Sequence, residues 1–565
     1  MEVQLVAKRI FEHPTVSRER IAKIRQLRES EVEVPEALYF SGLPQTLRPY
    51  QKVGVASLLF TSRMVIGDDT GLGKTVMSLA AIALLFERDL IDNAVVFTTG
   101  SSLLQWEEEL YKFTQGMEAT VLGSASHGTY KLQERIAALE TPTPVVLSPY
   151  SFITPNATHL LPEEEVLDRN APRYIQERAL ARVVDDRTLL VFDEATSVKN
   201  TSSGRSGVAY RVALKAGRVW GLTATIVKNN AADVYGVFKV VHPGVLGSKA
   251  SFTRKFLIER PIRGQKWRKQ VVGVKNAQTL KNLIEPFYIS RRKQDVAKDL
   301  PEITSVDVPV EICPYQRSLY EEVTLKQFER ADGREQKKLT LLTAILYYQM
   351  LANSPAIVGY EDRSAKADKF MDMMENDFRD SKLVVFARSK RWINLVEKRL
   401  QKLGVDLVRV TGDESTVERH ANIKRFTNEE QCRVCLITEA GSEAINLQAA
   451  DTLVFLDLPV IPGTYYQTIG RIHRIGSKAD KIWVYHFVAT NTVDEGVLGK
   501  LKEKFEVACD IAGIKAGMLE SQDYYDILAG TAGAKLSLPE EGGSQGGPDV
   551  ITDWSMLEGI AEACM

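Results

Sequence analysis

Residues 64–86, MVIGDDTGLGKTVMSLAAIALLF, decide the fold. Met64 to Gly67 read as a short buried strand, and from Val76 to Phe86 apolar residues recur at helical spacing. A glycine-containing loop therefore joins a strand to a helix N-terminus. Gly71 and Gly73 let backbone N–H groups curl around phosphate oxygens, and the helix end favours negative charge. In the pattern G-x-x-x-x-G-K-[ST], Lys74 reaches the terminal phosphates and the Thr75 hydroxyl ligates Mg²⁺, with Asp69, Thr70 and Leu72 completing the cradle. One position departs from that pattern: Asp68 stands where it has glycine.

At 565 residues the chain has room for about two to four domains, and its apolar and charged fractions of 44% and 26% are those of a globular protein. The formal charge of −1 gives no global field, so attraction to a nucleic acid has to come from local basic surfaces. No apolar run approaches the ~18 residues of a membrane span, and the start MEVQLVAKRI lacks a signal-peptide core. The expectation is a reducing, cytosol-like compartment with no membrane partner. Five scattered cysteines argue against a disulfide framework. Cys432 and Cys435 form a C-x-x-C, but CRVCLITEA reads as a buried strand with no second ligand pair, so core packing is expected rather than zinc.

Strand-like runs alternate with helical segments at AVVFTT (94–99), PVVLSPY (144–150), RTLLVFDEA (187–195) and RVWGLTAT (218–225). Such alternation implies an α/β fold with a parallel sheet covered by helices and active residues at the carboxyl ends of strands. From about 240 to 365 the chain reads as mostly helical and charged, interrupted by PFYISRRK and by a Pro-bounded extended stretch near LPEITSVDVPVEICP. A second series follows at KLVVFAR (382–388), LVRVTGD (407–413), CRVCLITEA (432–440), TLVFLDLP (452–459) and IWVYHFVA (482–489). Two α/β lobes are expected, at 45–300 with a helical insertion near 240–285 and at 366–510. A helical region, 301–365, lies between them; an N-terminal extension, 1–44, and a Gly/Pro-rich tail, 511–565, flank the whole.

In LLVFDEAT four apolar residues end at Asp193 and Glu194, as when a buried strand delivers two carboxylates to its carboxyl edge. Asp193 would hold Mg²⁺ through water, and Glu194 would orient or deprotonate an attacking water. The pair is weak alone and strong beside the phosphate loop. In YYQTIGRIHRIGS, Gln467, Arg471 and Arg474 follow Q-x-x-x-R-x-x-R spacing, which places the two arginines on one helix face, able to stabilise charge on a phosphate. A solvated basic helix face is the plainer reading of RIHR in isolation.

The ordered set LRPYQ (47–51), DDTGLGKT (68–75), LLQWEEEL (103–110), DEATSVKN (193–200), GLTAT followed by Asn229, ISRRKQDV (289–296), TEAGSEAINL (438–447) and QTIGRIHRIG (467–476) resembles the Swi/Snf-type branch of superfamily-two helicase-like ATPases. The resemblance covers about residues 46 to 500, and the insert RGQKWRKQVVGVKNAQTLKNLI is similar to shorter, annealing-helicase-like members. It implies two RecA-like P-loop lobes, ATP and Mg²⁺ as cofactors, and ATP-driven tracking on double-stranded DNA without ordinary strand separation. On this chain it implies adenine reading by Gln51, phosphate and metal binding by Lys74 and Thr75, hydrolysis at Asp193 and Glu194, and completion of the site by Arg471 and Arg474. DNA contacts are implied near Trp106, Tyr150, Lys199, Asn200, Arg388 and Thr411. Thr196, Ala224-Thr225-Ile226 and Ala440-Gly441-Ser442-Glu443-Ala444 depart from the branch's pattern at positions that couple hydrolysis to movement.

The segment RPIRGQKWRKQ (260–270) gathers Arg260, Arg263, Lys266, Arg268 and Lys269 around Trp267 with no acid among them. It fits DNA phosphates with Trp267 stacked on an exposed base, and it fits a solvated loop with a buried Trp equally well. The leading expectation is a duplex-DNA translocase that remodels bound proteins, branched DNA or forks, in a prokaryotic or host-cell cytoplasm or, in a eukaryote, the nucleus. A strand-separating DNA or RNA helicase, also engaging single strands, and a nucleotide-gated binding scaffold are the alternatives; a protein partner is left open.

Overall fold

The computed structural model describes residues 47–508, apart from 115, 124–130, 142, 163–165, 167–170, 225, 228–230, 263–264, 297–299, 330–340, 440–444, 461, 475–476 and 478. The 1–44 extension, the 511–565 tail, Thr225, Asn229 and the 440–444 departure lie outside the described residues. Among the described residues the chain divides into two compact units, 47–259 with 271–298, and 299–508 with 260–270.

The first unit is built on seven strands: β1 (Arg63–Ile66), β2 (Asn93–Thr98), β3 (Ala119–Val121), β4 (Val145–Pro149), β5 (Thr188–Asp193), β6 (Arg218–Leu222) and, after the insertion, β9 (Tyr288–Ile289). They pair in parallel in the order β3-β4-β2-β5-β6-β1-β9. The strands read as unbroken apolar runs because both faces are covered. In β5, Leu189 and Val191 join one buried cluster while Leu190 and Phe192 join the other. Helices α1 (Pro49–Phe60), α2 (Lys74–Glu87) and α3 (Leu103–Phe113) pack on the Leu189/Val191 face. Each fully buried Leu, Val or Phe contributes about 1.5–3 kcal/mol.

The stretch expected to be helical near 240–285 is only partly so. Between α4 (Lys249–Phe256) and α5 (Ala277–Ile284) the chain forms a two-stranded sheet of β7 (Leu257–Ile262) and β8 (Gln265–Val274). The charges of RPIRGQKWRKQ hide the strand character there: Leu257 is buried while the next residue, Ile258, is exposed.

The second unit carries β10 (Glu302–Val310), β11 (Leu383–Phe386), β12 (Leu407–Val410), β13 (Val434–Ile437), β14 (Thr452–Phe455) and β15 (Lys481–Ala489), all parallel, in the order β10-β15-β14-β11-β13-β12. Here the expected boundaries need correction. The extended stretch after Pro301 is not part of a helical inter-lobe region but the edge strand β10, registered along its whole length on β15 from Glu302↔Lys481 to Val310↔Ala489. Only Val308 and Val310 of β10 are buried, which is why its sequence lacks the apolar run of a central strand. Of the helices that follow, α6 (Pro314–Glu329) and α7 (Leu341–Asn353) also belong to this unit, sending Tyr320, Ile345, Tyr348 and Leu351 into its core. Cys432 and Cys435 are buried in the same core, and burial pushes the Cys435 thiol well above its ordinary range.

A buried ion pair fastens this unit. Lys366, on α8 (Ala365–Glu375), donates to Asp494 on α10 (Val493–Ala508, the helix after α9, Pro462–Ile472), and neither side chain is exposed. The ammonium also donates to Asn353 Oδ1 at 2.8 Å and to the Leu456 carbonyl at 3.3 Å, and the Ala489 N–H donates to the Asp494 carboxylate at 3.1 Å. Every charge is therefore met, and α7, α8, α10 and the end of β14 are held together. Removing one partner leaves the other buried and unpaired. Lys366→Met should lower the unfolding free energy by about 3–5 kcal/mol in denaturant melts; a loss no larger than that of an exposed pair, about 1 kcal/mol or less, would contradict this role.

Candidate functional site

The phosphate loop leaves β1 and the acidic pair leaves β5, with β6 between. Register puts Ile66, Leu222 and Asp193 side by side, so the two motifs emerge at one level of the carboxyl edge. Two inter-strand spacings separate them, about 10 Å of backbone.

The loop is shaped by positive φ at Gly71 (82°) and Gly73 (81°). The left-handed φ favours glycine at Gly73, and a Cβ there would lie 2.5 Å from Gln51 Nε2 and displace that amide. Gln51 sits in the first turn of α1; its Nε2 and the Tyr50 hydroxyl donate to the Leu72 carbonyl at 3.2 and 3.1 Å. Lys74 opens α2 and donates to the carbonyls of Asp68 and Asp69 at 2.8 and 3.2 Å. Burial lowers its pKa, while Glu194, Asp68, Asp193 and Asp69 pull it back up. Thr75 follows, half-buried, in the first turn of α2.

Asp193 is held by four hydrogen bonds. Its Oδ2 accepts from the Thr98 hydroxyl at the end of β2 and from the indole N–H of Trp106 on α3, both at 2.8 Å. Its Oδ1 accepts from the Glu194 N–H at 3.1 Å, and its carbonyl accepts from the Tyr150 hydroxyl beyond β4 at 2.7 Å. Burial and then the neighbouring Glu194 raise the pKa of Asp193, and the Trp106 and Thr98 hydrogen bonds oppose the rise. Glu194 itself is left-handed at φ 51°, ψ 57°, a conformation costing a non-glycine residue about 1–2 kcal/mol. Its carbonyl accepts from the Ser197 N–H at 2.8 Å, beginning the turn at Ala195–Val198. Backbone strain of this kind collects at working sites.

The residues expected to contact DNA are placed as follows. Trp106 is 2% exposed and Tyr150 is 5% exposed; the Trp106 indole N–H is spent on the Asp193 carboxylate and the Tyr150 hydroxyl on the Asp193 main-chain carbonyl. Thr411 is wholly buried, with its N–H and hydroxyl on Glu414 at 2.6 and 2.8 Å. Lys199 pairs with Asp233 at 2.9 Å and Arg388 with Asp457 at 3.4 Å, while Asn200 and Lys269 are exposed. Lys266 and Arg268 lie on β8, but their side chains, with that of Trp267, are outside the described ones.

In the second unit Gln467 and Arg471 lie on α9, and Arg471 is 7% exposed with its carbonyl accepting from the Leu447 N–H at 3.0 Å. Arg474 does not share that helix: α9 ends at Ile472, and Arg474 Nε turns back to the Gly470 carbonyl at 3.0 Å. It thus satisfies a carbonyl that the end of the helix leaves open.

Two working residues carried no assigned role in the sequence. Thr98 is visible only as the polar end of AVVFTT. Arg291, within ISRRKQDV, pairs with the buried Asp68 through its backbone N–H at 3.0 Å and through its guanidinium. Asp68 in place of glycine is thereby paid for by a dedicated cation.

The residues present fit a nucleoside triphosphate with a divalent cation: a left-handed glycine cradle, a half-buried ammonium, a hydroxyl at the helix start and an immobilised carboxylate share one sheet edge. Gly73→Ala should weaken nucleotide binding by about tenfold or more, from left-handed strain and the Gln51 collision. The readout is loss of the nucleotide-induced rise in Tm; an unchanged rise would contradict the cradle.

The chain matches the SNF2-related domain over residues 50–357 and the helicase conserved C-terminal domain over 365–476. It is 26% identical over 494 residues to an uncharacterized ATP-dependent helicase of Mycoplasma pneumoniae, covering 86% of this chain and 43% of that one. It is 25% identical over 506 residues to the ISWI chromatin-remodeling complex ATPase CHR17 of Arabidopsis thaliana, covering 84% and 43%. The chain thus spans less than half the length of these relatives. Among solved structures, the Sulfolobus solfataricus SWI2/SNF2 ATPase core in complex with dsDNA is 22% identical, with a TM-score of 0.36 over 86% of this chain and 95% of that one. With the SNF2-related match covering more than half of its 565 residues, the chain belongs to the SNF2-related family of superfamily-two helicase-like ATPases.

Proposed function

We propose that this ATPase is stimulated by double-stranded DNA and tracks along it, remodelling protein–DNA complexes or branched DNA. The observation that carries the hydrolytic half is the hold on Asp193: Thr98, Trp106 and Tyr150 fix it at the level of the phosphate loop, next to the strained Glu194. Lys74, Thr75 and the backbone of residues 71–73 would hold the phosphates, and Asp193 would hold Mg²⁺ through water. When bound, ATP supplies the phosphoryl group and Mg²⁺ neutralises its charge. Glu194 orients or deprotonates the attacking water; Gln51 reads the base. Gln467, Arg471 and Arg474 serve as the groups that stabilise charge on the transferred phosphate.

The DNA half rests on family membership and on the relatives, one of them named as a chromatin-remodeling ATPase. Asn200 and Lys269, exposed, and the basic strand β8 are the proposed phosphate contacts on DNA. Contacts of that type carry no base information, so little sequence preference is expected.

Two outcomes follow. Trp106→Phe keeps the ring and removes the N–H; loss of a hydrogen bond to a charged group, about 1.5–3 kcal/mol, should lower kcat about 10- to 100-fold with KM for ATP within about twofold. An unchanged kcat would contradict the support assigned to Trp106. For movement, ATP should drive displacement of a labelled third strand from a triplex without separating a forked duplex. Unwinding of the fork would establish the helicase alternative instead.

A further inference from the structure

The start and end of the phosphate loop are tied to the same turn of α1, and one side chain closes the circuit. Asp68 is fully buried. Its Oδ1 accepts from the Arg291 backbone N–H at 3.0 Å, and Arg291 Nε lies 3.0 and 3.1 Å from its two oxygens, with Nη2 on Oδ2 as well. The opposite side of that guanidinium donates through Nη1 to the Tyr50 carbonyl, and it lies 5.2 Å from the centre of the Tyr50 ring. That carbonyl belongs to the peptide joining Tyr50 to Gln51. Tyr50 and Gln51 then reach the far end of the loop at Leu72. The ring runs Asp68, Arg291, Tyr50 and Gln51, Leu72.

The backing of the ring is continuous. The Gly67 N–H donates to the Ile289 carbonyl at 2.6 Å, the Asp69 N–H to the Arg291 carbonyl at 3.1 Å, and the Lys293 N–H to the Asp69 carboxylate at 3.0 Å. Arg291, two residues past β9, therefore lies on a stretch of chain that runs alongside the start of the loop. Close approach leaves α1 little freedom, since a Cβ at Gly54 would meet Met77 Sδ at 2.3 Å and Arg291 Nη2 at 3.0 Å.

Gln51 has a particular use for such rigidity. A glutamine amide has two N–H donors and two oxygen lone pairs. One donor is spent on Leu72, and one lone pair accepts from the Arg48 N–H at 2.9 Å. One donor and one acceptor remain. Adenine offers the complementary N7 acceptor and N6 amino donor, whereas guanine offers two acceptors there. Discrimination then depends on how firmly the amide is aimed, because a reader free to turn away loses its penalty against the wrong base.

We infer that Arg291 is a specificity-determining positioning residue: it makes the base-reading turn and the phosphate loop one rigid body, and so sets the preference for adenine over guanine nucleotides without touching the base. The inference rests on the ATPase reading above and on Gln51 as the base reader. Arg is required because its planar fork serves the carboxylate and the carbonyl together; lysine, a point donor, keeps a cation for Asp68 but cannot span both.

The test measures fluorescence anisotropy of N-methylanthraniloyl-labelled ATP and GTP on the full chain, unaltered, as Arg291→Lys, and as Tyr50→Phe, which removes only the hydroxyl link to Leu72. The unaltered chain should prefer ATP. In Arg291→Lys the ratio of GTP to ATP dissociation constants should fall about tenfold, and in Tyr50→Phe by a smaller factor, chiefly through weaker ATP binding. Equal weakening of both nucleotides with the ratio kept in both variants would reduce Arg291 to a structural residue and overturn the inference while leaving the ATPase reading intact. An unaltered chain that binds both nucleotides equally would overturn the inference through its Gln51 premise, and one that binds neither would overturn it together with the ATPase reading.

Discussion

Parallel pairing of β1, β6 and β5 sets Ile66, Leu222 and Asp193 at one level, and the chemistry of the first unit depends on that register. A slip of one residue along β5 would reverse its faces, sending Leu190 and Phe192 into the cluster now filled by Leu189 and Val191. Burial on both sides therefore enforces the level at which Asp193 emerges. The same edge delivers Thr98 from β2 and Tyr150 from beyond β4. The carboxylate is thus held by Thr98 at the end of β2 and by Trp106 on α3, while Tyr150 holds its main chain.

Buried charge is used in both units as a joint between elements distant in sequence. Asp68 with Arg291 joins the phosphate loop to the chain that follows β9; Glu177 with Arg211 joins the helices Ile175–Val183 and Gly204–Ala213; Lys366 with Asp494 joins α8 to α10. Such pairs add little net stability over an apolar contact, but an alternative packing that separates them leaves charges stranded. Their contribution is to make one arrangement of the functional residues much better than its neighbours. In the first unit this holds the glycine loop that follows β1, and in the second it holds the end of β14 against the helices around it.

Much of this was legible in the sequence, for identifiable reasons. The loop at 68–75 announces itself through glycines that need positive φ, and β5 through four apolar residues ending in two acids. What residue type alone does not show is direction. Trp106, Tyr150 and Thr411 read equally well as surface contacts, yet each points inward and spends its polar atom on an acid or on main chain next to one. The Q-x-x-x-R-x-x-R spacing implied a shared helix face, but α9 ends before Arg474. Strand β10 hid because an edge strand buries only Val308 and Val310, and β8 hid behind its charges. Arg291 stands within ISRRKQDV, but its role depends on Asp68, more than 200 positions earlier, a partnership created by the pairing of β9 with β1.

On the function proposed above, the carboxyl edge of the first sheet hydrolyses ATP in response to duplex DNA. Steady-state ATP hydrolysis by the unaltered chain and by Glu194→Gln, each with no nucleic acid, duplex DNA, single-stranded DNA and RNA, tests it most directly. Duplex DNA should stimulate hydrolysis strongly, and the stimulation should disappear in Glu194→Gln. Stimulation confined to single strands or RNA, or turnover that survives Glu194→Gln, would contradict it.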